Sequence, residues 1–203
     1  MTRKTTYTRA HPGKFGLAID WETSGSNFGG DSSKDYQGLA FGAIIFDTTT
    51  FEPVAELYRE LHFDDKKYKW SDEAEKIHGL SREHLKEHGV PREEALVDLL
   101  ELVMQYIGTE SKIMFLGHNV DFDIDFTVQL ANDHGIELQI HHVKLETSGT
   151  AFILAGVYRS NDVFEAFLGE VREGKHNALQ DAHMALEVVR NMKAIFAVGL
   201  ENG

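Results

Sequence analysis

Acidic residues and histidines gather in three short segments of this chain, and their types are those that bind hard divalent cations. The first segment holds Asp20 and Glu22, the second runs from Gly117 to Phe126, and the third from His176 to Asp181. Carboxylate oxygens suit Mg²⁺ or Mn²⁺, and an imidazole can exchange a proton near neutral pH. The three segments therefore predict metal-assisted acid–base chemistry if the fold brings them together.

The first segment, Asp20 and Glu22, follows a short apolar run. Residues two apart on a strand point to the same side, so both carboxylates face the same way. Carboxylates held together repel one another unless a cation lies between them. The loop from Gly25 to Asp35 comes next, and its glycines match no phosphate-binding pattern, so we assign no nucleotide cradle there.

The second segment, GHNVDFDIDF from residue 117 to residue 126, also follows an apolar stretch. Its aspartates alternate as Asp121, Asp123 and Asp125, and spacing alone leaves open which of them binds a metal. The alternative interpretation is a helix N-terminus, where acidic side chains interact favourably with the helix dipole.

The third segment, HNALQD, places His176 five residues before Asp181. Five helical residues turn through about 500°, so the two side chains would not share a face if both were helical. They converge only if His176 lies on the loop before the helix and Asp181 in its first turns. Asn177 as the N-cap residue would allow that arrangement. The alternative interpretation of a histidine at this place is an ordinary surface residue.

The composition limits the functions open to the chain. It has 203 residues, a formal net charge of −13 and no cysteine. The acidic balance argues against a tight nucleic-acid binder, but not against an enzyme that contacts a few nucleotides and releases them. The absence of cysteine excludes disulfides and thiol catalysis and fits a reducing, cytoplasmic location. No apolar run is long enough to span a bilayer and no signal peptide is recognisable, so we expect no membrane contact.

Residues 1–14 differ in charge from the rest of the chain. Arg3, Lys4, Arg9 and Lys14 are the charged residues there, and no acidic residue accompanies them. We expect a basic N-terminal arm, either solvated and flexible or holding a polyanion. A single domain then spans residues 15–203.

Apolar periodicity divides this domain into strands and helices. Three strands at Lys14–Asp20, Leu39–Asp47 and Val54–Phe63 predict an antiparallel meander. The segments that follow are helices after Ser71 and Pro91, a strand at Lys112–Leu116, a helix from Phe122 to near Gly135, a weaker strand through Leu138, Ile140 and His142, and a long helix from Ala178. This order predicts an α/β protein with a mixed sheet covered by helices on both faces.

The three motifs together, DWETSG, HNVDFD and HNALQD, resemble those of the DEDDh 3′→5′ exonucleases, the group of the DNA polymerase III epsilon subunit, RNase T and oligoribonuclease. The pattern of that family is D-x-E-T, H-N-x-x-F-D and H-x-x-x-x-D. Asp20, Glu22, Asp123 and Asp181 match its four acidic positions, and His176 matches its histidine. The resemblance covers roughly residues 15–196 and implies an RNase H-like fold with a central mixed five-stranded sheet flanked by helices.

The resemblance also implies a mechanism. Two Mg²⁺ or Mn²⁺ ions about 4 Å apart would clamp the scissile phosphate. Asp20 would bridge both ions, and Glu22, Asp123 and Asp181 would complete their ligand shells. His176 would take the proton of the attacking water as general base. The products would be nucleoside 5′-monophosphates released from a free 3′ end.

The substrate side is also implied by the resemblance. Thr23, His78 within AEKIHGL, and Phe122 match positions that line the terminal-nucleotide site, with single-stranded DNA as the favoured substrate. The open alternatives are an RNA-directed 3′ exoribonuclease and a proofreading-type subunit bound to a polymerase. The seven residues after Phe196 are too few for a polymerase tether, which ranks the last alternative third. The D-T pair usual in the family appears here as Glu146-Thr147.

Overall fold

A computed structural model describes residues 13–27, 30–156 and 176–201, and a five-stranded mixed sheet forms its centre. The strands are β1 (Phe15–Thr23), β2 (Gly38–Asp47), β3 (Pro53–Glu60), β4 (Phe115–Gly117) and β5 (Leu145–Glu146). Most of the predicted basic arm, residues 1–12, lies outside the described residues. Gly13 and Lys14 are described, and the carbonyl oxygens of both accept hydrogen bonds from Thr48 in the turn after β2.

The strand order is β3-β2-β1-β4-β5. The first three strands pair antiparallel, which confirms the predicted meander, whereas β4 pairs parallel with β1 and with β5. Parallel neighbours need long crossover connections, and helices fill them here. The predicted mixed five-stranded sheet flanked by helices is therefore confirmed.

The structure describes six helices, and only some of them have the bounds that the sequence predicted. They are α1 (Asp72–His78), α2 (Arg82–His88), α3 (Arg92–Tyr106), α4 (Val120–Asp133), α5 (Ser148–Ala155) and α6 (Ala178–Glu201). Ser71 caps α1 through a hydrogen bond from the Ala74 amide, and Gly79 ends it in the left-handed conformation. No described helix is both long and apolar enough to cross a membrane.

The core lies on both faces of the sheet because side chains alternate along each strand. Odd-numbered residues of β1, such as Leu17 and Ile19, pack against α3 and α4. Even-numbered Ala18 packs against α6 on the opposite face. The acidic pair Asp20 and Glu22 also has even numbers, so it lies on the face that α6 covers.

The fifth strand differs from its prediction. The weaker strand expected through Leu138, Ile140 and His142 is reduced to a single bridge between Ile140 and Ile113, and β5 begins five residues after Ile140. The ladder stops because Nδ1 of His141 accepts a hydrogen bond from the Val143 amide, which turns the chain. Local side-chain to backbone bonds of this kind compete with a strand ladder. The Gly25–Asp35 loop also differs, since Ser32–Lys34 forms a short 3₁₀ helix capped by Asp31.

Candidate active site

The carboxylates of β1 lie beside neighbours with minimal side chains. Asp20 is the register partner of Gly42 on β2, and Glu22 is the partner of Ala40. The ladder between β1 and β2 has an irregularity between Glu22 and Thr23, and such irregularities are common beside active sites. Strand β1 continues to Thr23, so both carboxylates sit inside the strand rather than at its end as the sequence suggested.

Gly42 allows α6 to approach the sheet closely. A Cβ atom at this position would lie 2.2 Å from the Cα atom of Leu179, at the start of α6. The helix backbone therefore touches the sheet next to Asp20, and Asp181 follows two residues later along the helix. A glycine inside an apolar strand is a sequence signal for such close contact.

The start of α6 has the geometry that the sequence predicted. The Asn177 side chain accepts hydrogen bonds from the amides of Leu179 and Gln180, at 3.1 and 3.2 Å. His176 consequently remains outside the helix, and its Nδ1 lies 3.6 Å from a carboxylate oxygen of Asp181. Asp181 is 4% exposed, whereas the His176 side chain is 46% exposed. The structure thus brings together a histidine and an aspartate that an unbroken helix would have separated.

Glu22, His176 and Asp181 form a group of potential metal ligands in the described part of the chain, with one atom from each within 4.8 Å of the others. Ligands on opposite sides of one Mg²⁺ ion are about 4.2 Å apart, so this group can close around a single ion with a small adjustment. The donors are two carboxylates and an imidazole, which is chemistry that Mg²⁺ and Mn²⁺ accept. The residues therefore fit a divalent-metal site, and Asp20 and Asp123 lie beside this group rather than within it.

Asp123 is bound to the strand that carries the first two carboxylates. Its Oδ1 accepts a hydrogen bond from the Trp21 amide at 3.0 Å, and the residue is 2% exposed. Burial raises the pKa of the Asp123 carboxyl well above its usual range, the Trp21 amide opposes that rise, and the nearby carboxylates of Glu146 and Glu22 add to it. A cation at the site would favour the charged form of this carboxylate.

The structure distinguishes Asp123 from the two aspartates beside it. Asp121 and Asp125 are exposed, and Asp121 forms an ion pair with Lys144 on the surface. Partial burial raises the pKa of Asp125, and the charges of Asp31 and Asp121 add to that rise. Only Asp123 of the three is buried against β1, which spacing alone could not show.

Glu146 and His118 are parts of the site that sequence reasoning did not assign. Glu146 lies on β5, and its carboxylate accepts hydrogen bonds from the backbone amides of Asn119 and Val120 at the start of α4. Burial lowers the pKa of the His118 imidazole, while the charges of Glu146 and Asp181 oppose that change. The only sequence signal for Glu146 was its weak match to the D-T pair of the family.

The predicted substrate-binding residues surround the same end of β1. The Thr23 hydroxyl donates to the Gly25 carbonyl, and the Ser24 carbonyl accepts from the amide of Ser71, the cap of α1. His78 ends α1, is 7% exposed, and its Nδ1 accepts from the Leu80 amide at 3.0 Å. A neutral histidine that accepts at Nδ1 carries its proton on Nε2 and can donate from there.

Phe122 is half-buried and lines a cavity of about 580 Å³ between α4 and the Gly25–Asp35 loop. Its ring packs edge-on against Phe126, with ring centroids 4.9 Å apart. Phe126 is fully buried and belongs to the core, as its helical spacing predicted. Phe122 therefore faces this cavity, and it is next in sequence to Asp123.

The fold and site together define a class of protein. A mixed five-stranded sheet in this order, with carboxylates on its first strand and on two helices packed against it, is the architecture of the RNase H-like nucleases. The model of the RNase T exonuclease family matches residues 17–189. The chain belongs to this exonuclease family, and it is therefore a hydrolytic nuclease. A search of curated proteins finds no match.

Solved structures with the same fold include three nucleases. The nuclease domain of 3′hExo, a DEDDh family member bound to rAMP, is 13% identical with a TM-score of 0.67, covering 90% of this chain and 92% of that chain. E. coli exonuclease I in complex with a dT13 oligonucleotide is 15% identical with a TM-score of 0.70, covering 89% of this chain and 41% of that chain. A 3′-exonuclease that recognises the 3′ end of a histone mRNA stem-loop is 15% identical with a TM-score of 0.61, covering 91% of this chain and 83% of that chain. At these identities the likeness establishes the fold.

Proposed function

We propose that the protein is a metal-dependent 3′→5′ exonuclease that hydrolyses phosphodiester bonds of nucleic acid to nucleoside 5′-monophosphates. The observation that carries this proposal is the convergence of Glu22, His176 and Asp181 within 4.8 Å, beside Asp20 and Asp123. These residues come from β1, α4 and the start of α6, and membership of an exonuclease family supports the proposal.

The four carboxylates of Asp20, Glu22, Asp123 and Asp181 would hold the metal. Two bound divalent ions, Mg²⁺ or Mn²⁺, would supply charge neutralisation at the phosphate and a more acidic attacking water. Asp123 is held against β1 by the Trp21 amide, and Asp181 by the contact of α6 with Gly42. The ligands are thus fixed by backbone contacts before any metal binds, which limits the reorganisation that binding requires.

His176 would act as the general base. The His176 side chain is exposed, so its imidazole is accessible to water. The buried carboxylate of Asp181 lies 3.6 Å away and orients the imidazole. A histidine that accepts the proton of the attacking water contributes to the rate without binding the metal. The alternative, in which His176 is itself a metal ligand, has support in its membership of the 4.8 Å group, and the two roles give different mutant phenotypes.

The substrate would be a strand with a free 3′ end, with single-stranded DNA favoured. Backbone at Thr23, the Nε2–H group of His78 and the ring of Phe122 would line the terminal-nucleotide site. Stacking of a base on an aromatic ring tolerates every base, so low sequence specificity is expected. RNA is the alternative substrate. One related structure contains rAMP, whereas another contains a DNA oligonucleotide. The net charge of −13 favours brief contact with few nucleotides.

Two further parts of the proposal concern the binding partners and the cellular location of the enzyme. We propose a self-contained nuclease, with a polymerase partner as the possible but less favoured alternative; the family match over residues 17–189 supports the nuclease domain. The lack of cysteine supports a cytoplasmic location.

Digestion of matched 5′-labelled and 3′-labelled substrates tests the proposal. Single-stranded DNA, duplex DNA and RNA are compared with Mg²⁺ and with Mn²⁺, and an Asp20→Ala preparation controls for contaminating nucleases. We expect 3′-labelled strands to release labelled mononucleotide at once and 5′-labelled strands to shorten gradually. A 3′-phosphate should slow cleavage strongly. Rapid cutting of circular single-stranded DNA would instead identify an endonuclease.

A further inference from the structure

Glu146 makes three hydrogen bonds to backbone amides at the junction of β5 and α4. Oε1 accepts from Asn119 at 2.8 Å and from Ser148 at 2.6 Å, and Oε2 accepts from Val120 at 2.8 Å. Asn119 is the N-cap residue of α4, but its own side chain makes no capping bond. The Glu146 carboxylate therefore caps α4 from a neighbouring strand, in the place that a local side chain usually takes.

The residue after Glu146 strengthens the same junction. The Thr147 amide and hydroxyl both donate to the Gly117 carbonyl, at 3.1 and 3.3 Å, and the hydroxyl lies 3.2 Å from Nδ1 of His118. Asn119 has a φ of 61° and a ψ of 45°, a left-handed conformation that asparagine tolerates better than most residues. The turn between β4 and α4 is thus held in an uncommon backbone conformation by two consecutive residues of the 146–147 segment.

This turn determines where Asp123 lies. Val120 begins α4, and Asp123 occupies its first turn with its carboxylate on the Trp21 amide. A rotation or slide of the start of α4 would move Asp123 relative to the carboxylates of β1. Because a displacement of about 1 Å at a catalytic group can cost roughly a hundredfold in rate, the cap controls a sensitive distance.

We propose that Glu146 is a positioning residue that acts through Asp123. The role rests on the proposed function, because Asp123 is assigned there as a metal-binding carboxylate. Glu146 is exposed and lies close enough to raise the pKa of Asp123, so a direct role as a metal ligand must be distinguished from positioning. Both of its oxygens accept backbone amides, which favours positioning.

The test is a double-mutant cycle between Glu146→Gln and Asp123→Asn, with the Mn²⁺ affinity measured by calorimetry and kcat and KM measured separately. Glu146→Gln removes the charge and one set of acceptor lone pairs. We expect it to weaken Mn²⁺ binding and lower kcat by about 10- to 100-fold with little change in KM, the usual effect of a residue that orients a ligand. In the Asp123→Asn background the same change should cost less than about threefold, because the residue through which it acts is already lost.

Lys144→Gln is the matched control. Lys144 lies two residues before Glu146 and pairs with Asp121 on the same turn of α4, but both side chains are solvent-exposed. Its loss should change affinity and kcat by less than about threefold. Equal losses for Lys144→Gln and Glu146→Gln would show that any disturbance of this segment has the same effect, and would overturn the proposal.

The Glu146→Asp variant serves as a rescue experiment, and thermal unfolding checks that each variant is folded. Aspartate retains the charge and two acceptor oxygens, so it should recover most of the affinity that glutamine loses, whereas a direct steric role would not be rescued. If Glu146→Gln costs the same factor with and without Asp123, Glu146 acts independently and the proposal is wrong. Failure of the proposed function would appear as wild-type protein that hydrolyses no substrate, and the Mn²⁺ cycle would still decide the role of Glu146.

Discussion

Gly42→Ala should disable the site while leaving the sheet intact. The added Cβ atom would lie 2.2 Å from the Leu179 Cα, 2.3 Å from its amide nitrogen and 2.5 Å from the Ala178 carbonyl carbon. All three are backbone atoms of α6, so no side-chain rotation can relieve the clash. The start of α6 must retreat by about 1.2 Å to reach ordinary contact at 3.4 Å.

That retreat would carry Asp181 and His176 away from Glu22. A misplacement of about 1 Å can cost roughly a hundredfold in rate, so we expect kcat/KM to fall by about that factor. Mn²⁺ affinity should fall in parallel, since Glu22 and Asp181 would no longer reach the same ion. The overpacking itself should lower the free energy of unfolding by about 1–3 kcal/mol.

Gly16→Ala provides the matched control on β1. Its added Cβ atom would lie 2.5 Å from Cζ of Phe46, a fully buried ring, and 3.1 Å from the backbone carbonyl oxygen of Met114. The change also overpacks the α6 face of the sheet, but at the end of β1 remote from the site. We expect a comparable loss of stability with turnover near that of the wild type.

The assay compares mononucleotide release, Mn²⁺ binding and thermal unfolding for the two variants. Folded Gly42→Ala protein with wild-type turnover and metal affinity would refute the argument that the glycine sets the distance between α6 and β1. Equal losses of turnover in both variants would mean that general destabilisation, rather than displacement of Asp181, explains the effect.

Three other substitutions test the assignment of roles. Asp20→Ala should abolish hydrolysis and weaken metal binding. The metal-free variant should be as stable as the wild type or more stable, because the substitution removes one of several repelling charges. Near-normal turnover would contradict the assignment of Asp20 as a metal ligand. Asp123→Asn should lower kcat on one labelled substrate far more than Asp121→Asn or Asp125→Asn does. Equal losses would show that the family motif was aligned to the wrong aspartate. His176→Ala should lower turnover by roughly 10²–10⁴ with little change in Mn²⁺ affinity, and the remaining rate should rise with pH as hydroxide replaces the base; loss of metal along with activity would make it a ligand.

The sequence alone predicted those features that depend on a few neighbouring residues. Alternating apolar residues predicted the three-stranded meander, and Ser71 with Gly79 predicted the bounds of α1. Asn177 as N-cap explained in advance how His176 and Asp181 could meet. Such signals are readable because capping bonds and strand alternation are local interactions.

Only the tertiary structure decided which members of each motif meet. Asp123 is separated from its partner Trp21 by 102 residues, so the alternating spacing could not distinguish it from Asp121 and Asp125. The family motif indicated Asp123, and the fold supplies the physical reason. The position of β5 and the role of Glu146 likewise depend on a strand that is two residues long and offers little periodicity. Contacts between distant segments follow from how helices pack on the sheet, and that packing is set by the whole chain at once.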